Sequence, residues 1–415
     1  MDTLTAKPRQ PHKVRPPSVE ALLAEIATLD TAVVQERMMP AGCYTDPDFF
    51  TFEQREVFAK TWICVGRVEQ VASAGDCFAT EVGGEPVLVT RGEDGGIHAL
   101  SAICQHRGEI IPCPDKGKAL RCPLHFWTYD MQGRLLGAPR MGDAEAMRRL
   151  RQAVRLPQLR LELWHGFIFV NLDPAASPLA PSLAKLEPLW AGYEATGLKA
   201  LPPVMSDTPL PWNWKVHVEN FTDAYHPEYV HVGTHDFAPS VMEGDGVRFT
   251  EMKPGDNAIV RSVPMRTPDG GMMSDGWGPE AAFPAIPTLP AEQRRRITFA
   301  MLPPSLTMMF APGTVAYTLI RPAGVTATFA GSDRVTYGGW LLPQSTIDLP
   351  DFVDRCKAVS EGGSKIWAQD VPVNRGMQAA KSSRFLPDGI YGPLETTLQQ
   401  FNIWLLEAYR RAQAD

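Results

Sequence analysis

Cys104-Gln105-His106 and Cys122-Pro123-Leu124-His125 are the two short segments that decide the fold. Each segment supplies one thiolate and one imidazole, and fifteen residues separate His106 from Cys122. Two cysteines and two histidines would suit a structural zinc site, but zinc fingers usually keep like ligands together. Here cysteine and histidine alternate. That order favours a [2Fe–2S] centre in which two cysteines hold one iron and two histidines hold the other, with zinc as the alternative.

The residues next to these segments agree with a pair of cluster-binding loops. Gly108 allows the backbone to come close to the inorganic sulfides, and Pro123 stiffens the second loop. A third cysteine, Cys113, is flanked by prolines and is expected not to be a ligand. The seven cysteines are an odd number, and residues 1–17 contain no apolar stretch typical of a secretory signal. We therefore expect a reducing cytoplasm, where clustered cysteines indicate a metal more often than a disulfide.

Together the two segments resemble the Rieske domain of ring-hydroxylating oxygenase α subunits. The resemblance covers Cys104–Gly108, Cys122–Tyr129, Gly133, Leu135 and Pro139. Before the first segment, short apolar runs from residue 77 to residue 103 are separated by turn glycines, which is typical of a β meander. Residues 60–172 are therefore predicted to form a small all-β Rieske domain.

A second group of metal-ligating residue types lies downstream, in Asp223-Ala224-Tyr225-His226 and His231. Two histidines and one carboxylate are the usual ligands of non-haem Fe(II), so His226 and His231 are predicted to be two of the three. Residues five apart on a straight helix lie roughly 140° apart, so the helix must end or bend between them. Pro227 provides the reason for such a break. His235 is the rival second ligand.

The family resemblance extends over this region as well. Asn213-Trp214-Lys215, Glu219-Asn220 and Asp223–His226 match the family's mononuclear-iron motif. The resemblance implies that Asp370 is the carboxylate ligand and that Asp223 and Asn220 serve the reaction beside the iron. One residue departs from the pattern: Arg375 stands where family members usually carry glutamate, five residues after the aspartate ligand.

The rest of the chain predicts an α+β architecture in three parts. Residues 1–59 are predicted to form an N-terminal arm with helices that pack on the catalytic part, and residues 173–415 to form the catalytic domain. Strand-like runs between residues 247 and 342, flanked by helical segments, indicate an antiparallel β-sheet. The resemblance implies that this domain is of the helix-grip, START-like kind. Two helices are predicted from Asp48 to about Trp62 and from Leu349 to about Gln378, the second interrupted near Pro372.

Composition argues against several classes of function. The 415 residues carry 40 Lys and Arg against 47 Asp and Glu, and the net charge of −7 disfavours nucleic acid or an anionic membrane as a partner. No apolar run approaches the roughly 18 residues that a membrane-spanning helix needs. No glycine-rich dinucleotide fingerprint follows a predicted strand, so the nicotinamide site is expected on another protein.

The resemblance implies a terminal oxygenase that uses O2 and electrons from NAD(P)H, delivered by a separate reductase or ferredoxin. The Rieske cluster would pass electrons singly to a mononuclear Fe(II) that hydroxylates a small organic substrate. By family analogy the first expectation is an aromatic carboxylate or similar ring compound. The alternative is a monooxygenase that N-demethylates a betaine-type quaternary ammonium compound. Two other classes stay open: a Rieske electron carrier without oxygenase activity, and a zinc-stabilised binding module.

The resemblance also implies an assembly. A domain of about 110 residues is on the order of 30 Å across, so transfer between the two metals of one chain is expected to be too slow. A head-to-tail homotrimer would place each Rieske centre beside a neighbour's iron, and an α3β3 assembly with a separate β subunit stays open. Asp223 would join the centres by accepting hydrogen bonds from His226 and from His125 of the partner subunit. The residues predicted to line an apolar pocket at the iron are Phe221, Met301, Met308, Met309 and Phe310.

Overall fold

The computed structural model describes residues 18–414 except 115–116, 118, 195–196, 202–208, 267–280 and 332–338. Three small antiparallel sheets lie in the first half of the chain, and one large antiparallel sheet with long helices lies in the second half. The predicted α+β class, with a β-rich unit and a separate antiparallel sheet flanked by helices, is confirmed. The domain boundaries at residues 59/60 and 172/173 stay predictions.

Four short helices open the described chain. They are α1 (Val19–Thr28), α2 (Thr31–Glu36), α3 (Gly42–Thr45) and α4 (Pro47–Phe52). The carboxylate of Asp46 caps α4 by accepting a hydrogen bond from the Phe49 N–H at 2.8 Å. The helix predicted from Asp48 to about Trp62 is present as far as Phe58, with a π-helical turn at Glu53–Phe58. Its predicted end is wrong, because the chain leaves the helix after Phe58 and enters a strand at Ile63.

A buried ion pair holds this π-helical turn against the catalytic part. Lys215 Nζ lies 2.7 and 2.8 Å from the two carboxylate oxygens of Glu53, and both side chains are fully buried. The Tyr409 hydroxyl and Trp214 Nε1 also donate to Glu53, at 2.6 and 3.3 Å. All of these partners of Glu53 are more than 150 residues away from it in the sequence. Local helical periodicity could therefore not predict the π-helical turn that they hold in place.

Nine strands form the three small sheets. They are β1 (Ile63–Arg67), β2 (Cys77–Val82), β3 (Glu85–Arg91), β4 (Ile97–Ser101), β5 (Ala119–Arg121), β6 (Thr128–Asp130), β7 (Leu135–Gly137), β8 (Arg160–Trp164) and β9 (Phe167–Asn171). The sheets have the orders β1-β9-β8, β2-β3-β4 and β5-β6-β7. Helix α5 (Ala144–Ala153), which the all-β prediction left out, lies beside β7. Cys104 follows β4, and Cys122–His125 joins β5 to β6, so both predicted binding segments are loops.

The large sheet follows two short helices, α6 (Ala180–Leu183) and α7 (Glu187–Glu194). Its strands and those of a small hairpin are β10 (Lys199–Ala200), β11 (Val241–Met242), β12 (Asp245–Gly246), β13 (Arg248–Phe249), β14 (Ile259–Pro264), β15 (Arg296–Leu302), β16 (Leu306–Ala311), β17 (Thr314–Gly324), β18 (Ala327–Gly331) and β19 (Trp340–Leu342). The order is β10-β19-β17-β16-β15-β14-β13, with β18 also paired to β17, while β11 and β12 form the hairpin. Part of the stretch from 247 to 342, in which the strand-like runs were predicted, lies outside the described residues.

Five helices complete the second half. They are α8 (Trp214–Thr222), α9 (Pro227–Val230), α10 (Gln344–Ile347), α11 (Phe352–Ala380) and α12 (Thr396–Ala414). The predicted interruption near Pro372 is wrong, because α11 runs through this residue. Pro372 and Ala368, whose carbonyl loses its usual N–H partner, both lie on the exposed face, where water can replace the missing hydrogen bond.

The two halves share one apolar core. Trp62, Phe167 and Phe169 from the sheet β1-β9-β8 pack with Phe310 and Tyr317 from the large sheet. A hydrogen bond of 2.8 Å joins the Cys64 N–H to the Ser305 hydroxyl across the same contact. One face of the large sheet is therefore covered by the β-rich unit, while helices α8, α11 and α12 lie on the other face with the histidines.

Candidate functional site

Two loops bring the four predicted cluster ligands together. Cys104 and Cys122 are buried, whereas His106 and His125 are partly exposed at the loop tips. The two imidazole rings are 4.7 Å apart between centroids. Each loop closes on itself through a backbone hydrogen bond of 3.0 Å to the carbonyl of its cysteine. One donor is Gly108, whose φ of +81° lies in the left-handed region that favours glycine.

The ring nitrogens of these histidines show what the site could hold. His106 Nδ1 and His125 Nδ1 are buried, and neither has a hydrogen-bond partner among the described residues. Leaving a buried polar group unpaired costs about 1–3 kcal/mol, so both nitrogens call for a ligand. Two buried thiols and two such nitrogens fit a [2Fe–2S] cluster with two cysteines on one iron and two histidines on the other.

Among the described residues, the same four side chains do not form a compact site for a single metal ion. One zinc ion would need all four ligand atoms gathered tightly around it. Within the described ranges, just one group of three or more Cys, His, Asp or Glu has its ligand atoms within 4.8 Å of one another, and that group lies in the other half of the chain. The two cysteines and two histidines of the loops do not form such a group, which agrees with a two-iron cluster in place of a single zinc ion.

Neighbouring side chains hold the loops rigid. Tyr129 O–H lies 3.4 Å from Cys104 Sγ and accepts a hydrogen bond from the Gln105 N–H at 3.2 Å. The Trp127 ring stacks on His106 with centroids 4.6 Å apart and an angle of 7° between the planes. Tyr129 and Trp127 are among the residues that match the family pattern, but the sequence alone does not predict their contacts with Cys104 and His106.

Cys113 is bonded to Cys77 in a disulfide. This agrees with the expectation that Cys113 is not a ligand, but the preference for metal over disulfide does not hold for this pair. Cys77 begins β2 and Cys113 lies in the loop between the two cluster segments, 36 residues later. Only the folded chain brings their Cα atoms to 5.7 Å, so spacing in the sequence gave no sign of the bond.

The second site lies where α8 ends. The helix stops at Thr222, Asp223 is extended, and α9 begins at Pro227, so His226 and His231 flank a four-residue helix. This is the break that the five-residue spacing and Pro227 predict. The break turns both imidazoles toward α11, which carries Asp370.

His226, His231 and Asp370 form the compact group with metal-ligand geometry. The two Nε2 atoms are 3.3 Å apart, and Asp370 Oδ1 lies 3.7 Å from His226 Nε2 and 3.2 Å from His231 Nε2. Two imidazoles and one carboxylate converging on one point are the 2-His-1-carboxylate set of non-haem Fe(II), which leaves coordination positions open on one side. Asn220 Nδ2 donates to the same Asp370 oxygen at 3.0 Å.

The outer nitrogen of each histidine is bound to an acceptor. His226 Nδ1 lies 2.9 Å from Asp223 Oδ2, and His231 Nδ1 lies 3.1 Å from Gln369 Oε1. The Thr234 hydroxyl donates to the same Gln369 oxygen at 2.7 Å. Such acceptors set the tautomer and the ring orientation of metal-binding histidines. Gln369 and Thr234 are functional candidates that the sequence analysis missed, although Gln369 directly precedes Asp370.

Asp223 is kept negatively charged by its surroundings. Partial burial alone would raise its pKa, but the hydrogen bond to His226, the Tyr225 N–H and the charge of Arg261 outweigh burial and lower the pKa. Arg261 is buried and donates to the backbone carbonyls of Phe221, Thr222 and Asp223. Burial lowers the pKa of Arg261 only to about 10, so it stays a cation at neutral pH.

His235, the rival ligand, lies beside the site without joining it. Its ring centroid lies 6.1 Å from that of His231, and it is outside the compact group of ligand atoms. Burial and the neighbouring Arg261 lower the pKa of His235 to about 4, so it is a neutral side chain packed against Phe237.

The apolar wall beside the triad differs from the predicted pocket. Phe221 and Met309 belong to one cluster next to the site, with Phe237, Phe299 and Trp340. Met308 and Phe310 do not belong to it, because alternate residues of β16 point to opposite faces and these two pack against the β-rich unit. Met301 lies in a third cluster beneath α8 and α12. The prediction for Met301, Met308 and Phe310 is therefore wrong.

Arg375, the departure from the family pattern, lies away from the metal-ligand atoms. It is exposed on α11 and lines a surface hollow with Gln378, Thr326 and Pro211. The exchange of an acid for a base therefore places a cation on the exposed face of α11, outside the compact His–Asp group.

Comparison with known proteins agrees with both sites. Residues 190–411 match the family model described as the ring hydroxylating alpha subunit (catalytic domain), and residues 61–155 match the Rieske [2Fe-2S] domain. The first match covers more than half of the chain. The chain belongs to the ring-hydroxylating α-subunit family. Its members combine a Rieske [2Fe–2S] domain with a mononuclear-iron catalytic domain, as the two sites of this chain indicate.

Two curated relatives and one solved structure show the range of the likeness. The carnitine monooxygenase oxygenase subunit of Escherichia coli K12 is 34% identical over 203 residues, which are 48% of this chain and 53% of the relative. The glycine betaine monooxygenase oxygenase subunit of Chromohalobacter salexigens is 33% identical over 199 residues, 47% of this chain and 43% of the relative. The chain thus spans about half the length of the curated relatives it matches.

Solved structures of low sequence identity share the fold of this chain. A quaternary ammonium Rieske monooxygenase, described for carnitine oxidation and inter-subunit electron transfer, aligns with a TM-score of 0.72 at 20% identity. The alignment covers 91% of this chain and 97% of that chain. Among the helices of the described residues, none is long and apolar enough to cross a membrane.

Proposed function

We propose that this chain is the terminal component of an oxygenase that oxidises a small molecule bearing an N-methylated ammonium group. The observation that carries the proposal is one chain with two different donor sets, two Cys with two His and two His with one Asp. An electron-transfer protein needs only the first set, and a structural zinc site would likewise use only the first set. The combination supports oxygen chemistry driven by single-electron delivery.

The proposed roles follow the donor atoms. Cys104, His106, Cys122 and His125 would hold the [2Fe–2S] cluster, and His226, His231 and Asp370 would hold Fe(II). When bound, the two groups supply electron storage and O2 activation. Asp223 and Gln369 orient the two imidazoles through their Nδ1 atoms, and Asn220 holds the Asp370 carboxylate by a hydrogen bond.

Asp223 is also the proposed link to a Rieske centre on another subunit. One of its oxygens accepts from the Tyr225 N–H at 2.7 Å, while the other faces His226, and the side chain keeps about one sixth of its surface exposed, 17%. A carboxylate at the surface, hydrogen-bonded to a candidate iron ligand, can receive a second imidazole from outside. That supports the predicted contact with His125 of the partner subunit.

Two exposed apolar patches support the predicted head-to-tail homotrimer. One lies around the cluster loops, where Leu124 and Phe126 are 47% and 57% exposed. The other lies beside Asp223, where Tyr229 and Val232 are 67% and 65% exposed. In a closed head-to-tail ring, the patch around the cluster loops of one subunit could pack on the patch beside Asp223 of the next subunit. Both patches would then be buried at the contact through which electrons pass. The homotrimer, the reductase or ferredoxin partner and the cytoplasmic location remain predictions.

The proposed substrate class is supported by the aromatic side chains beside the His–Asp group and by the names of the related proteins. Aromatic rings of Phe221, Phe237, Phe299 and Trp340 lie in the cluster beside the triad. Aromatic faces attract cations such as quaternary ammonium groups. Both reported relatives are named for carnitine or glycine betaine, which carry that group. The aromatic carboxylate expected first from the sequence stays a prediction and provides the competing arm of the test.

The test is product analysis with the iron-loaded full chain, a surrogate reductase and NADH. Glycine betaine and carnitine are compared with a panel of aromatic carboxylates under 18O2. We expect oxidation of an ammonium substrate, detected as loss of substrate with labelled product or formaldehyde. Hydroxylation of aromatic compounds alone would reject the ammonium proposal and favour the other arm.

A matched variant separates an oxygenase from an electron carrier. Asp370→Ala should still accept electrons at the cluster, seen as bleaching of its visible spectrum, but should form no product. If the unmodified chain, loaded with about three irons, is reduced normally and oxidises none of the substrates, the carrier interpretation is favoured instead.

A further inference from the structure

Helices α8 and α11 run antiparallel and are joined by polar side chains at two levels. At one end the Asn213 N–H donates to Gln378 Oε1 at 2.8 Å, and at the other Asn220 Nδ2 donates to Asp370 Oδ1 at 3.0 Å. The second level is the candidate iron site itself. Side chains four residues apart lie on one face of a helix, so the residues between these levels also face each other.

Those intermediate residues are His217 and Asn374. His217 is four residues after Asn213, and Asn374 is four residues after Asp370 and four before Gln378. His217 is 6% exposed and Asn374 is 0% exposed. The middle level is thus polar, buried and set between two levels that are closed by direct hydrogen bonds.

The polar atoms at this middle level are unpaired. His217 Nδ1 and both amide atoms of Asn374 have no hydrogen-bond partner among the described residues. Each buried unpaired polar group costs about 1–3 kcal/mol, and proteins usually remove that cost with an internal water molecule. Three such atoms between two helices provide the two to four polar partners that a buried water requires.

We propose that His217 and Asn374 hold internal water, and that this water is the route by which protons from solvent reach the Asp370 side of the mononuclear site. The inference rests on the proposed oxygenase function. It does not depend on which substrate is oxidised, and it makes His217 and Asn374 positioning residues for the water.

The outer end of the route is open to solvent. Gln378 and Arg375 line the surface hollow, and Gln378 is 7% exposed whereas Asn374 is fully buried. Gln378 Nε2 donates to the Tyr44 carbonyl at 3.2 Å, so its amide is held in place at the boundary between hollow and interior. The sequence of polar groups from outside to inside is therefore Gln378, then Asn374 with His217, then Asp370.

The chemistry demands such a supply. Hydroxylation follows RH + O2 + 2 e⁻ + 2 H⁺ → ROH + H2O, with the electrons from the reductase through the Rieske cluster and the protons from solvent. The wall formed by Phe221, Phe299, Met309 and Trp340 carries no ionisable group that could supply a proton. Water at the middle level would connect solvent to the site from the opposite side, without wetting the apolar wall.

The first test is crystallographic and needs no turnover. A high-resolution structure of the full chain should show ordered water within hydrogen-bond distance of His217 Nδ1 and the Asn374 amide. Asn374→Leu, which keeps the branch at Cγ but removes the amide, should lose that water. A direct hydrogen bond between His217 and Asn374, with no water at this level, would overturn the proposal.

The second test measures proton delivery. Single turnover of the pre-reduced protein in H2O and D2O should be slowed at least about tenfold by Asn374→Leu, with a larger solvent isotope effect than in the unmodified chain. Cluster spectrum, iron content and substrate binding should be unchanged. Asn402→Leu, a buried asparagine on α12, serves as the control: it should lower stability but leave the isotope effect as it is.

An unchanged rate and isotope effect in Asn374→Leu would refute the route even where the water is seen. The crystallographic test is independent of catalysis. A chain that oxidises no substrate would therefore count against the proposed function and not against the water held by His217 and Asn374.

Discussion

Replacing Gln369 with leucine should weaken Fe(II) binding without disturbing the Rieske cluster. Gln369 Oε1 is the acceptor for His231 Nδ1 at 3.1 Å, and it also accepts from Thr234 at 2.7 Å. Removing it leaves the imidazole free to rotate and to adopt the other tautomer. Loss of such a supporting group typically lowers metal affinity 10- to 100-fold, which corresponds to about 1.4–2.8 kcal/mol.

Competition with a coloured Fe(II) chelator under anaerobic conditions measures this change directly. Gln369→Glu keeps an acceptor oxygen and should retain most of the affinity. Thr234→Val removes the hydroxyl but leaves the bond to His231, so its loss should be less than about tenfold. An affinity in Gln369→Leu equal to that of the unmodified chain would show that His231 is oriented by its packing and not by this hydrogen bond.

Three further predictions concern stability, redox potential and pH. Glu53→Gln should lower the free energy of unfolding by about 3–5 kcal/mol in denaturant titrations, because it leaves the buried Lys215 charge without its partner; a loss below about 1 kcal/mol would contradict this. Tyr129→Phe removes a hydrogen bond of about 1 kcal/mol to the cluster sulfur of Cys104, so the potential should fall by roughly 40 mV in spectroelectrochemistry; an unchanged potential would argue against that bond. Burial lowers the pKa of His217 from 6.5 to about 4. Between these two pH values the unfolded chain binds more protons than the folded chain, so the free energy of unfolding falls as the pH drops from 6.5 to 4. In the metal-free protein His217→Phe should flatten that part of the curve of melting temperature against pH, and a curve with unchanged slope would refute the assignment.

The parts of the molecule that depend on short-range patterns were predictable. The alternating Cys and His of the two loops, and the break between His226 and His231, follow from residue chemistry and helix geometry. Asp370 is different, because 139 positions separate it from His231 in numbering and only the family resemblance pointed to it. The position of Asp370 on α11, which packs against α8, brings its carboxylate to His226 and His231.

The features that were missed or wrong depend on the folded chain. Gln369 looks like an ordinary helical glutamine until His231 is seen to face it. The bond between Cys77 and Cys113 joins a strand to a loop that no local pattern connects. Met308 lies one residue from Met309, yet β16 alternates and the two side chains meet different cores. Each of these depends on a long-range contact, which periodicity along the chain does not encode.

We propose that electrons pass from the cluster of one subunit to the iron of the next, and two variants test this transfer. Two variants that are inactive alone, Cys104→Ala without a cluster and Asp370→Ala without mononuclear iron, can be co-expressed and purified as mixed oligomers. In a mixed trimer one of the three neighbouring pairs joins a chain that keeps its iron to a chain that keeps its cluster, so turnover per chain should be about a third of the unmodified value. Mixed oligomers with no turnover above that of the separate variants would contradict transfer between subunits.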